Sequence, residues 1–306
     1  MRQRHRLLID CDPGHDDALA LLLASRVAEV VGITTVSGNA PLEAVTANAL
    51  ALAELAGLDT PVHAGAARPL AGEPLHAPKV HGASGLDGTH LPPPRRSIAS
   101  DDAAGYLVEA TRRFDDCWIV AIGPLTNLAE ALRRDPTLAG RVAGISIMGG
   151  STGGGNATAA AEFNILADPE SADVVFRSGA RLVMCGLNLT HQLRSSDVLL
   201  ERLRGRATPR SRFGADVIAF LHQRMATLIG ERSAALHDPC AVLAVTHPEL
   251  IDRRPRSVRV ELDGRWTRGM TVVDERPGQG REPGNVDVAY RIDPAAAMNL
   301  VEEALT

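Results

Sequence analysis

Asp10, Asp12, Asp16 and Asp17 place four carboxylates within eight residues, directly after the apolar run Leu7-Leu8-Ile9. Held at one corner, such a set repels itself and raises its own pKa values unless a cation neutralises it. Hard divalent cations take clustered carboxylate oxygens, so the chemistry these residues suit is metal binding. Helix capping, through a side-chain acceptor or the macrodipole, uses one or two acids and does not account for four. Two other acidic motifs fit less well. An aspartyl-phosphate site also begins strand-Asp-x-Asp, but it wants Thr or Val where Gly14 stands and a lysine for phosphate, and Lys79 is the only lysine in the chain. A calcium loop of the Asp-x-Asp-x-Asp-Gly type fails because Gly14 comes too early and no Glu closes the loop.

The elements that must position these acids follow from periodicity. Residues 7–9 read as the end of a buried strand, Pro13-Gly14 as a turn, and 16–23 as the first turns of a helix. Buried strands follow over 30–36, 117–122, 142–148 and 181–185, with helices over 42–56, 101–114, 126–134 and 168–178 between or after them. Nearly continuous apolar strands alternating with helices predict an α/β fold, a doubly wound, mostly parallel central sheet flanked by helices. In such sheets ligands bind at the carboxyl ends of strands. That edge collects further polar residues. Asn39 follows the second strand, and Thr126 follows the third in Gly123-Pro124-Leu125-Thr126-Asn127. Taken alone, Asn39 reads as a turn residue and Thr126 as a helix cap. Met148 leads into a glycine-rich loop at 149–155, which lacks the Gly-Lys-Ser/Thr ending that cradles phosphate. Asn156 and then Glu162-Phe163-Asn164 follow, donors and acceptors around one aromatic, as a sugar requires.

Four segments complete the reading. Residues 61–100 form a long Pro-, Gly- and His-rich loop carrying His81-Gly82-Ala83-Ser84-Gly85-Leu86, and a loop of this length in a compact domain is usually functional or mobile. Gly186 opens a long helical region; its stretch 194–210 is rich in arginine without interleaved aromatics and reads as a solvated face, and 213–229 reads as amphipathic helix. His237-Asp238-Pro239 stands at a helix start. Residues 257–292 alternate apolar and polar side chains and predict extra antiparallel edge strands near the C-terminus, before a last helix over 294–305.

Asp10-Cys11-Asp12-Pro13-Gly14-His15-Asp16-Asp17-Ala18 resembles the N-terminal signature of the inosine-uridine-preferring nucleoside hydrolases, calcium-dependent enzymes that cleave the N-glycosidic bond of ribonucleosides. Gly-Pro-Leu-Thr-Asn, Met-Gly-Gly with Asn-Ala-Thr and Glu-Phe-Asn, and His-Asp-Pro match the same family in register across the chain. The resemblance implies Ca²⁺ held by Asp12, Asp17, the Thr126 backbone carbonyl and Asp238. It implies ribose contacts from Asp16, Asn39, Asn156, Glu162 and Asn164, and a substrate site completed by His81, Met148 and Phe163. Asp12 is the implied general base. His237, as the residue type titrating nearest neutrality, is the candidate for helping the base leave. Near the end of the 213–229 helix the family often has a Tyr facing the base; Met225, Thr227 and Ile229 stand there instead, so base preference stays open. So do two alternatives: a calcium-dependent ribose or nucleoside binding protein without turnover, which has little use for His237, and phosphoryl transfer, which the lysine count opposes.

Composition bounds the rest. With 45% hydrophobic and 23% charged residues among 306, the chain can bury a large core as a single domain over 1–306. A net charge of −5 argues against nucleic acid or an anionic membrane as partner, since both need a basic face. The basic run Met1–Arg6 meets Asp10 too soon for a secretory signal, and no apolar run is long enough to span a membrane. Cys11, Cys117, Cys185 and Cys240 are scattered without metal or redox spacing, which suits buried thiols in the cytoplasm. A homodimer or homotetramer is what the resemblance implies.

Overall fold

The computed structural model describes residues 4–277 and 282–306. Met1, Arg2 and Gln3 of the basic run and residues 278–281 of the expected edge-strand region lie outside the described residues. The strands are β1 (Arg6–Cys11), β2 (Glu29–Thr35), β3 (Val62–Ala64), β4 (Cys117–Ala121), β5 (Gly144–Met148), β6 (Leu182–Cys185), β7 (Ile251–Arg256), β8 (Val258–Val260), β9 (Thr271–Val273) and β10 (Val286–Ile292). The first helices are α1 (His15–Val27), α2 (Leu42–Leu55), α3 (Pro78–His81), α4 (Ala103–Arg113), α5 (Thr126–Arg134), α6 (Leu138–Arg141) and α7 (Phe163–Ala167). The rest are α8 (Pro169–Phe176), α9 (Leu187–Thr190), α10 (Asp197–Arg204), α11 (Pro209–Ile229), α12 (Pro239–Thr246) and α13 (Pro294–Ala304).

The strands order as β3-β2-β1-β4-β5-β6-β10-β7, with β7 antiparallel to β10 and the other neighbours parallel. The chain runs outward from β1 through β2 to β3, then returns across β1 to build β4, β5 and β6. That reversal is the topological switch, and it opens a crevice at the carboxyl ends of β1 and β4.

Alternation along the strands divides the core into two layers. Leu7, Ile9 and Cys11 pack on one face with Val120, Ile122, α1 and α12; Leu8 packs on the other with Ile119, Ala121 and α5. Both faces are covered, which is why these strands are almost wholly apolar. Each buried Leu or Ile contributes about 1.5–3 kcal/mol. α1 is buried along its first ten residues and packs against α12 and α13, so the acid-bearing corner sits on a helix that cannot shift independently.

The C-terminal expectation needs one correction. β8 and β9 do form an antiparallel pair, but β10 is interior, parallel to β6 on one side and antiparallel to β7 on the other. Its alternating sequence reads as an edge because burial on a second face comes from neighbours that local periodicity does not show. The helical region after Gly186 is broken into α9, α10 and α11 rather than continuous. The loop 61–100 also holds the short strand β3 and the helical turn α3.

Candidate active site

Pro13 and Gly14 end β1 and turn the chain into α1, so Asp12 and Asp17 face each other across the corner. Asp17 accepts the backbone N–H of Asp12 (3.1 Å) on one oxygen, and on the other the N–H of Gly14 (3.0 Å) and the Asn39 amide (3.0 Å). Asp12 accepts the Asn39 N–H at 2.7 Å through Oδ2, while its Oδ1 is buried with no hydrogen-bond partner. Glycine is required on both sides of this carboxylate: a Cβ at Gly38 would stand 2.0 Å from Asp12 Oδ2, and one at Gly123 2.6 Å from Oδ1.

Asp238, brought in at the start of α12, completes the acidic cluster. Oxygens of Asp16, Asp17 and Asp238 lie within 4.8 Å of one another, all three residues buried. Burial first, then mutual repulsion among Asp12, Asp16, Asp17 and Asp238, pushes the carboxyls of Asp12, Asp17 and Asp238 well above the usual carboxylate range. A donor set of hard oxygens with an orphaned buried carboxylate oxygen beside it fits a divalent cation, whose charge would reverse the repulsion. The sequence reading gave Asp16 to the ribose and Asp12 to the metal; the tight three-carboxylate set contains Asp16, with Asp12 adjoining it.

Asp10 is not part of that cluster. Its Oδ1 accepts the Thr34 hydroxyl (2.6 Å) and the Asn127 amide (2.8 Å), and burial outweighs both bonds to push its pKa to about 6. Asn127 also donates to the Thr35 carbonyl (2.9 Å), tying the ends of β1, β2 and the β4–α5 turn together.

Above the acids lies a cavity of about 770 Å³, in the size range of small-molecule sites. Asp16, Asn39, His81, Met148, Asn156, Glu162, Phe163, Asn164, His237 and Asp238 line it. Asp12, Asp17 and Thr126 are buried beneath. The Asn164 amide donates to the carbonyls of Ile122 (3.0 Å) and Met148 (3.1 Å), joining the ends of β4 and β5. Glu162 caps α7 by accepting the N–H groups of Asn164 (3.0 Å) and Ile165 (3.2 Å), and accepts that of Gly150 (3.0 Å); burial nonetheless raises its pKa to about 7. Asn156 fixes the loop from the far side, accepting the Phe163 N–H at 3.0 Å.

His237 lies with its Nδ1 2.8 Å from the Thr190 hydroxyl and its ring 5.7 Å from that of His191. Desolvation lowers its pKa to about 4, away from the neutrality expected of its residue type. His81 is likewise buried and its pKa lowered. It is stacked on His15, whose ring is in turn stacked on Phe220 of α11 at 4.4 Å. Where the Tyr was looked for, Leu221, Met225, Leu228 and Ile229 present an apolar wall.

Several contributors were missed. His191 and Arg194 line the cavity. Ser195, His222 and Asp197 are joined by contacts of 3.0 and 3.2 Å in the manner of a hydrolytic triad. Yet the Ser195 hydroxyl is buried and engaged with both the N–H and the carbonyl of Ala234 (3.2 and 3.1 Å), so it braces the segment leading to His237 rather than attacking anything. Asn188, just after β6, is also structural, donating to the Ala289 carbonyl at 2.8 Å.

The family model for inosine-uridine preferring nucleoside hydrolases matches residues 7–299. The chain belongs to that family. It is 39% identical over 305 residues to the pyrimidine-specific ribonucleoside hydrolase RihA of Shewanella sp. (strain ANA-3), covering 98% of this chain and 95% of that protein. To the protein of the same name from Salmonella paratyphi A it is 41% identical over 304 residues, covering 98% and 97%. Among solved structures, the plant nucleoside hydrolase PpNRh1 superposes with a TM-score of 0.90 at 35% identity, over 99% of each chain. The purine-preferring ribonucleoside hydrolase from Gardnerella vaginalis gives 0.92 at 30% identity, over 98% of each. The chain is thus an enzyme that hydrolyses ribonucleosides, which removes the readings as a binding protein without turnover and as a phosphoryl-transfer enzyme. Among the described residues no helix is long and apolar enough to cross a membrane.

Proposed function

We propose that this hydrolase acts on pyrimidine ribonucleosides ahead of inosine, with Ca²⁺ held by Asp12, Asp17, Asp238 and the Thr126 carbonyl. The observation that carries the reading is the buried acidic cluster directly beneath a nucleoside-sized cavity. The pyrimidine-specific names of relatives at 39–41% identity support the base preference. When bound, the cation supplies neutralising charge that keeps these carboxylates ionised, and acidifies and orients water and ribose hydroxyls.

This chain's own residues do the rest. Asp12, with one oxygen pinned by Asn39 and the other unengaged, takes the proton of the attacking water. Asp16, Asn39, Asn156, Glu162 and Asn164 hold the ribose, and Met148 and Phe163 shape the floor and wall against which it lies. Departure of the base leaves an oxocarbenium-like sugar, favoured by the surrounding carboxylates. His81 and His237 flank the base. As a neutral ring oriented by Thr190, His237 donates a hydrogen bond to the leaving base. Four buried free cysteines support a reducing, cytoplasmic setting, and a sheet drawing strands from β1 to β10 supports one domain over 1–306. The family resemblance supports a homodimer or homotetramer, which size-exclusion chromatography with light scattering checks.

Ribose release from uridine, cytidine and inosine, with calcium and after chelation, tests the proposal. Uridine and cytidine should exceed inosine by about tenfold or more in kcat/KM, and chelation should abolish turnover until calcium is returned. Equal or greater turnover of inosine overturns the base preference, and full activity of metal-free protein overturns the cation. His237→Ala should lower kcat on uridine by about 10²-fold while costing a 4-nitrophenyl riboside, whose leaving group needs no donor, less than about tenfold. Equal losses on both substrates would make His237 a structural residue.

A further inference from the structure

We propose that Asp168 is a positioning residue of the cation site, fixing Thr126 and joining it to the segment that walls the cavity at Leu75–Val80. The inference rests on the calcium reading above. Asp168 is fully buried between α7 and α8. Its Oδ1 caps α8 by accepting the Ser171 N–H at 3.0 Å, which is all that a cap requires. Oδ2 does something a cap does not. It accepts the Thr126 hydroxyl at 2.6 Å and the backbone N–H of Leu70 at 2.9 Å.

The Thr126 contact has the length of a charge-assisted O–H···O⁻ bond, the strong kind, and it restrains the first residue of α5 at the β4 corner. Leu70 begins the path to Leu75, His76 and Ala77, which line the cavity. That path is anchored again at its far end, where the Ala77 N–H donates to the Asn39 carbonyl (3.1 Å) and the His76 ring lies 2.9 Å from the Gly38 carbonyl. One wall of the cavity is therefore tied at one end to Asn39, which grips Asp12, and at the other to Asp168, which grips Thr126. Asp168 lies only four positions after Asn164, so a single short stretch sets both the strand ends and the metal corner. Carboxylates that hold a metal-ligating residue from behind typically cost 10–100-fold in affinity when removed, roughly the effect expected here.

Asparagine at 168 keeps one acceptor and presents a donor where the carboxylate had its second, so the Ser171 bond and the Thr126 and Leu70 bonds cannot all survive. Calorimetric titration of Ca²⁺ into chelator-stripped protein should give a Kd about 10–100-fold weaker for Asp168→Asn than for wild type. Thr126→Val removes the same bond from the other side and should weaken Kd comparably, while Thr126→Ser, which keeps the hydroxyl, should return it to within about threefold of wild type. The double variant Asp168→Asn/Thr126→Val should be no worse than the poorer single, as residues acting through one contact behave. A folded Asp168→Asn protein binding calcium within about twofold of wild type overturns the inference, as do losses that multiply in the double variant. If Asp168→Asn does not fold, equal calcium affinity of Thr126→Val and Thr126→Ser overturns it instead. Wild-type protein that binds no calcium overturns the calcium reading itself, a result distinct from wild type and variant binding alike.

Discussion

Asp12→Asn should lower kcat/KM by about 10³–10⁴-fold on uridine, on cytidine and on an activated nitrophenyl riboside alike. Three structural facts combine to make the effect large. The Asp12 Oδ1 is buried without a partner, Oδ2 is spent on the Asn39 N–H, and the Gly38 and Gly123 backbones lie so close to the two oxygens that a Cβ on either would collide with them. An amide there still accepts from Asn39 but carries no charge, so it neither takes a proton from water nor helps hold a cation. Because both losses precede any distinction between leaving groups, every substrate suffers, unlike the selective loss expected of His237→Ala. Raising calcium to saturation should recover the part due to weakened binding and no more, which steady-state kinetics across a calcium titration resolves. Activity within about tenfold of wild type at saturating calcium would mean another group activates water.

What could be read from the sequence and what could not divide along physical lines. The β1–α1 corner is legible because Asp12, Asp16 and Asp17 are local to it, whereas Asp10, which counts with them in the sequence, is tied to Thr34 and Asn127 instead. The strands were legible because a sheet covered on both faces demands continuous apolar runs, as Leu7-Leu8-Ile9 and Ile119-Val120-Ala121-Ile122 show. β10 was not, because Val286-Asp287-Val288 alternates as an edge strand would, and only pairing with both β6 and β7 puts it inside. The breaks between α9, α10 and α11 did have signals: Ser196 caps α10, accepting the Leu199 N–H at 3.2 Å, and Thr208 precedes Pro209 at the start of α11. Reading the arginines as one face hid them. Asp168 stands in the sequence only as the first residue of the 168–178 helix, and nothing local to it announces Thr126 or Leu70. Likewise the pKa of His237 depends on desolvation in the cavity wall, which residue type alone does not convey.

Ribonucleosides should be cleaved about 10³–10⁵-fold faster than their 2′-deoxy counterparts, because the cavity wall proposed to face the sugar carries the polar groups Asp16, Asn39, Asn156, Glu162 and Asn164. Asp16 is the decisive one. It is buried, it lines the cavity, and its oxygens lie within 4.8 Å of those of Asp17 and Asp238, so it meets either a cation or a hydroxyl donor. A ribose 2′-hydroxyl supplies that donor and, on the calcium reading, an oxygen to the ion as well. Deoxyribose supplies neither, and leaving a buried charged acceptor unpaired costs more than a bond of ordinary strength contributes. The loss should fall on kcat as well as KM, since a sugar held by fewer groups is less well placed for the water beside Asp12. Comparing uridine with 2′-deoxyuridine, and each again with Asp16→Asn, separates the contributions: the variant should lose most of its activity on uridine and little of what remains on deoxyuridine. Equal cleavage of the two nucleosides by the wild-type enzyme would show that these carboxylates serve the cation alone and do not read the sugar.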